Sequence, residues 1–112
     1  MKSIKLGGKL RPIHFGWYSF KIFEQETGIP FTKLRAALQE ANVEILVVFV
    51  YSAICGGYNK LSKEVDFEKN DIYNWMDDYS GDINELFELL IASLPANLAQ
   101  INKKKAAIMK KK

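Results

Sequence analysis

Few side chains in this sequence have a type and spacing that could carry chemistry. His14 is the only histidine and Cys55 the only cysteine in 112 residues. Zinc sites combine several Cys or His ligands at short regular spacings, and neither residue has such a companion, so no metal centre is expected. A single cysteine also excludes an intramolecular disulfide, which suits a reducing compartment. Cys55 closes an apolar run, where burial raises a thiol pKa and quenches its reactivity. Packing is its expected role, and His14 is expected to be a strand histidine without chemistry.

The acids Asp77, Asp78, Asp82, Glu85 and Glu88 invite a calcium reading. Set on an EF-hand loop, Asp78, Ser80 and Asp82 take the first three ligand positions. Ile83 then stands where glycine is required and Leu89 where the bidentate glutamate belongs. The loop fails at two defining positions, and these carboxylates suit helix starts and a solvated face better. No Gly-x-Ser-x-Gly elbow, phosphate loop or dinucleotide fingerprint accompanies them. Neither catalysis nor a cofactor is expected.

Charge is segregated along the chain. Residues 1–21 carry five cations and no acid, residues 22–102 carry thirteen acids against five bases, and residues 103–112 add six lysines. The net +3 therefore hides a body of −8 between basic ends. The lysine tail could grip phosphates, but no aromatic is interleaved for base stacking, and the acidic body repels nucleic acid. A small helical nucleic-acid-binding regulator is the alternative function this charge leaves open. Residues 1–8 show no apolar run of the secretory kind. The apolar stretch Ile45–Cys55 is eleven residues, short of the ~20 of a membrane helix, so no membrane partner is expected.

Positioning these residues falls to a mainly α fold: about five helices behind a short N-terminal β-hairpin. Composition supports one soluble domain, with 48% hydrophobic and 26% charged residues. Gly7-Gly8 separates Ser3–Leu6 from Lys9–Phe15 and suits a primed hairpin turn. Ile4, Leu6, Leu10, Ile13 and Phe15 are expected on its apolar face, and Pro12 makes the second strand an edge or places a bulge in it. Trp17–Thr27 reads as a helix ended by Gly28 and Pro30. Phe31, Leu34, Leu38 and Ala41 form the stripe of a second helix. Val43 to Cys55, capped by Asn42, is expected as a buried third helix ended by Gly56-Gly57, with Tyr58–Asp66 a polar connection. Ile72, Trp75, Met76 and Tyr79 mark a fourth. Asp82 and Glu85 form a capping-box-like start for a fifth, striped by Ile83, Leu86, Phe87, Leu90 and Leu94 and ended by Pro95. Asn97 can restart a helix through Leu98, Ile101 and Ile108. The domain is expected to span 1–102, with the hairpin at 1–16 and a frayed basic tail at 103–112. Trp17, Tyr18, Phe20 and Phe23 are too closely set for one helix face. Any aromatic left outward would make an interface.

The order of these features resembles the tail assembly chaperones of long-tailed, siphovirus-like bacteriophages and prophages. The resemblance rests on an Ile-x-Leu strand, Gly7-Gly8-Lys9, a strand ending Phe15-Gly16, and a helix closing on Glu24-Gln25-Glu26-Thr27-Gly28. Further on, an apolar helix followed by Gly56-Gly57, the segment Ile72-Tyr73-Asn74-Trp75-Met76-Asp77-Asp78 and a Leu/Phe-rich last helix continue it, over residues 4–94. It implies a non-catalytic protein of the host cytoplasm, absent from the mature virion. Such a protein binds the tape measure protein, keeps it soluble and promotes assembly of the tail tube protein. It also implies a homo-oligomer. Phe31, Leu34, Leu38, Val47, Val50 and Trp75 are the residues expected to serve partner binding or self-association, because the apolar run exceeds what a small domain comfortably covers.

Overall fold

Gly7 and Gly8 take φ values of 62° and 81°, the left-handed pair that a two-residue primed turn demands. They join β1 (Lys2–Leu6) to β2 (Lys9–Ile13) in an antiparallel register that pairs Leu6 with Lys9, Ile4 with Arg11 and Lys2 with Ile13. In a hairpin of this loop length the pair flanking the turn is hydrogen-bonded and the pairs then alternate. Ser3–Pro12 and Lys5–Leu10 are thus the non-bonded pairs, and Pro12 loses no ladder bond. The same parity sends Arg11 inward with Ile4, Leu6 and Ile13, while Leu10 lies 68% exposed. This corrects the expected apolar face: Arg11 takes the place assigned to Leu10.

A computed structural model provides these coordinates, and it describes residues 1–95. After the hairpin come α1 (Trp17–Thr27), a 3-10 turn (Phe31–Lys33), α2 (Leu34–Gln39), α3 (Val43–Lys60), α4 (Lys69–Asp77) and α5 (Ile83–Ala92). The expected mainly α fold of five helices and an N-terminal hairpin is the observed one. The restart at Asn97, the positions Leu98, Ile101 and Ile108, the domain limit at 102 and the lysine tail lie outside the described residues.

Local chemistry accounts for the helix ends. Asn42 Oδ1 accepts from the Ile45 N–H at 3.0 Å, Asp71 reaches back to the Glu68 N–H at 2.8 Å, and Asp82 accepts from the Asn84 N–H at 2.8 Å. Each satisfies one of a first turn's orphan donors. Glu85 makes no return bond among the described residues, so the start of α5 is a simple cap and not the full box. Gly28, at φ 73°, closes α1 with its N–H on Glu24 O at 2.8 Å. The second helix is shorter than its stripe suggested. It opens as a 3-10 turn and keeps only Leu34–Gln39 as α-helix, so Ala41 falls beyond its end.

The third helix departs most from expectation. It does not stop at Gly56-Gly57 but continues to Lys60, so Tyr58 is a buried helical residue, not part of a polar connection. The glycines permit close approach. A Cβ on Gly57 would stand 2.2 Å from Pro12 O, and one on Gly56 would stand 2.1 Å from His14 O and 1.9 Å from Ser19 Oγ. At 18 residues and mean hydropathy 1.2, α3 is long and apolar enough to cross a membrane by length and composition, but 61% of it is buried within the fold. Val47, Val48, Phe49, Val50, Ala53 and Ile54 pack against the hairpin, α1 and α4 in one contiguous core. The chain itself covers the apolar run.

Candidate interaction surfaces

Where β2, α3, the α3–α4 connection and α4 meet, Arg11 is 4% exposed. Its Nε donates to Leu6 O at 3.0 Å, and one terminal nitrogen donates to Tyr58 Oη at 3.0 Å and Asp66 Oδ1 at 2.8 Å. The guanidinium lies 4.2 Å from the Trp75 ring centroid and 5.4 Å from that of Phe67. A planar cation can stack on aromatic faces and donate in its plane at once, which an ammonium cannot do. This anchor locks the hairpin to the helices.

Asp66 completes it from the solvent side, also ion-paired to Lys9. The hydrogen bond from Lys9, then that from Tyr58 and the charge of Arg11, hold its carboxyl down at about 2. A carboxyl with a depressed folded-state pKa stabilises above its unfolded value, ~3.9, and that contribution disappears as pH falls through the folded value. Melting temperatures measured from pH 5 down to pH 2 are therefore expected to fall less for Asp66→Asn than for the parent. Parallel curves would show that Asp66 is not linked to folding.

Beside the anchor, an open cleft of about 580 Å³ runs between Lys5–Gly8 on one wall and Trp75, Asp78, Tyr79, Ser80 and Gly81 on the other. Trp75 packs so closely over the turn that a Cβ on Gly7 would stand 2.4 Å from its Cε2. A second feature is aromatic. Trp17 is 77% exposed, yet its ring is held edge-on by Phe20 at 6.0 Å and Phe31 at 5.5 Å, with Phe20 and Phe31 stacked at 5.1 Å. Glu24, one turn further along this face of α1, accepts from the Phe31 N–H at 3.0 Å and pins the segment there. A third is a shallow apolar groove between α2 and α5, about 170 Å³, lined by Arg35, Leu38, Gln39, Ile91 and Leu94.

Of the six residues singled out by sequence, Leu34, Val47 and Val50 lie inside the chain's own core and present nothing to a partner in this fold. Their periodicity marks burial, not an interface. Phe31, Leu38 and Trp75 are half-buried, and the fold does not bring them together: each borders a different one of the three surfaces. Trp17, and less fully Tyr18, are the outward aromatics that the crowding in α1 required. Arg11, Asp66, Tyr58 and Phe67 were not singled out. The signal for Arg11 was the two-residue turn, whose pairing parity faces it inward and Leu10 outward.

Cys55 is buried, and that burial pushes its thiol up to about 11. His14 is half-buried, and its backbone N–H donates to Ala53 O at 3.0 Å. Among the described residues no three His, Cys, Asp or Glu side chains come together as a metal site. In comparisons with family models, curated proteins and solved structures, no match to this chain was found.

Proposed function

We propose that this chain is a non-catalytic tail assembly chaperone of a long-tailed bacteriophage or prophage. In this role it binds the tape measure protein, keeps it soluble and promotes tail tube assembly in the host cytoplasm. The observation that carries the reading is the exposed aromatic surface of Trp17 and Phe31. An indole left 77% in water but already ordered by two neighbouring rings offers a client large apolar area at little further entropic cost. The segment from Phe31 to Leu38 leads from this surface to the α2–α5 groove. An amphipathic client helix laid along that segment would meet apolar side chains at both ends. Weak contacts of this kind gain strength when many copies line one long client.

The test is co-expression of the full chain with a tape measure protein, the long helical client this reading names. Recovery of a soluble complex is expected. Trp17→Ser, at a site too exposed to hold the core, is expected to weaken binding about thirtyfold, the loss of one hot spot of ~2 kcal/mol. A client that stays insoluble, or binding unchanged by Trp17→Ser, overturns the reading. Retention on DNA with a steep salt dependence would favour the nucleic-acid-binding regulator instead.

A further inference from the structure

The two edges of the hairpin are not equivalent. The far end of β2 and the residue after it meet α3: the His14 N–H donates to Ala53 O at 3.0 Å, and Pro12 O lies against Gly57, which has no side chain to keep it away. Leu10, beside the turn, has no main-chain partner on that edge among the described residues. The outward groups of β1 belong to Ser3 and Lys5, the residues of its non-bonded pairs. Their N–H and C=O groups have no hydrogen-bond partner among the described residues. The β2 edge is covered by α3 at its Pro12–His14 end and the β1 edge is open along both Ser3 and Lys5, and an open edge is a template for another strand.

We propose that β1 pairs antiparallel with β1 of a second copy, joining two hairpins into a four-stranded sheet. The inference stands whether or not the client is the one proposed above. It commits to a second copy because β1 is its own complement. With Ile4 facing Ile4 across a two-fold axis, Ser3 of each copy stands opposite Lys5 of the other. Those two pairs exchange all the unpaired edge groups in four main-chain hydrogen bonds. Lys5 then faces a serine hydroxyl, so no lysine is opposed by another lysine. On the core-facing side, Ile4 of one copy extends the apolar surface begun by Ile4 of the other. Lys2 of the second copy arrives opposite Leu6, which lines the cleft that Asp78 also lines. A cation is thereby brought toward a carboxylate that has no ion-pair partner among the described residues.

Proline scanning separates this edge from the hairpin itself. Lys5→Pro deletes an outward N–H and, like the native Pro12, leaves the intramolecular ladder intact. Leu10→Pro deletes an outward N–H from the opposite edge. Light scattering on the eluting full chain is expected to give a dimer for the parent and for Leu10→Pro. Lys5→Pro is expected to give a monomer, with unchanged helical circular dichroism. A parent that stays monomeric at high concentration overturns the proposal, as does a Lys5→Pro chain that still dimerises. If Lys5→Pro fails to fold, cysteine pairing decides. Mixed Ser3→Cys and Lys5→Cys chains should oxidise mainly to the heterodisulfide, since the register sets those Cα atoms ~5.5 Å apart. Homodisulfides in equal yield, or no cross-link, overturn it.

Discussion

Gly57→Ala is expected to lower the melting temperature by about 20 °C, a loss of ~4 kcal/mol at the usual conversion for a domain of this size. In most helices the same change is favourable by up to ~1 kcal/mol, because alanine loses less chain entropy than glycine. Here the added methyl would stand 2.2 Å from Pro12 O and 2.4 Å from Pro12 C. Both are main-chain atoms of a paired strand, which cannot rotate away as a side chain can. The helix must back off from β2, and contacts along Val50, Ala53 and Ile54 loosen with it. Gly56→Ala meets His14 O at 2.1 Å and Ser19 Oγ at 1.9 Å and should behave similarly. Gly8→Ala is the informative contrast, with open space around it but φ at +81°. Its expected cost is only the ~1–2 kcal/mol of a left-handed L-residue. Thermal melts followed by circular dichroism rank the three. A Gly57→Ala protein melting within a few degrees of the parent would show that α3 does not press on β2.

That contact also explains what the sequence could and could not convey. Gly-Gly after an apolar run looks like a helix stop, because glycine lacks propensity and readily turns. Whether a glycine ends a helix or lets it touch another backbone depends on what lies across from it, and Pro12 and His14 are more than forty residues away in the chain. The elements governed by local rules were legible: the Gly7-Gly8 turn, α1 to its Gly28 cap, and the Asn42 and Asp82 starts. The long apolar period of α3 was legible as burial. Its cover was not, since periodicity is the same whether a face packs on its own domain or on another subunit. Leu34, Val47 and Val50 show that ambiguity resolved toward the core. Trp17 shows the reverse case, where four aromatics on eleven helical residues exceed one face and leave Trp17, and less fully Tyr18, in water.

Arg11 marks the point where residue type misleads most. A cation in an amphipathic strand is ordinarily assigned to the wet side, and Leu10 beside it to the dry one. The turn imposes the opposite, and the burial of the guanidinium is tolerable because Nε and one terminal nitrogen are hydrogen-bonded and it lies against the touching Trp75 and Phe67 rings. Arg11→Ala removes the hydrogen bonds to Leu6 O, Tyr58 and Asp66 together with the stacking on Trp75 and Phe67. Buried ion pairs broken on one side typically cost 3–5 kcal/mol, mostly from the charge left behind. Asp66 is 48% exposed and keeps Lys9, so its carboxylate is not stranded and the lower end applies. The expected loss is ~3 kcal/mol, or about 15 °C in melting temperature. Arg11→Met keeps an apolar stem against the two rings and should lose about half as much, isolating the packing share. Arg11→Lys retains the charge without the planar fork and should not restore parent stability. If Arg11→Lys matches the parent, the stacking and fork geometry are irrelevant and simple charge suffices. If Arg11→Ala melts with the parent, the hairpin is held by α3 alone. The same variants also report on the cleft. Trp75 rests between Arg11 and Gly7, so loss of the guanidinium is expected to free the indole. A faster hydrogen exchange at Leu6 and Lys9 than at the α1–α3 contact would locate that loosening at the hairpin tip.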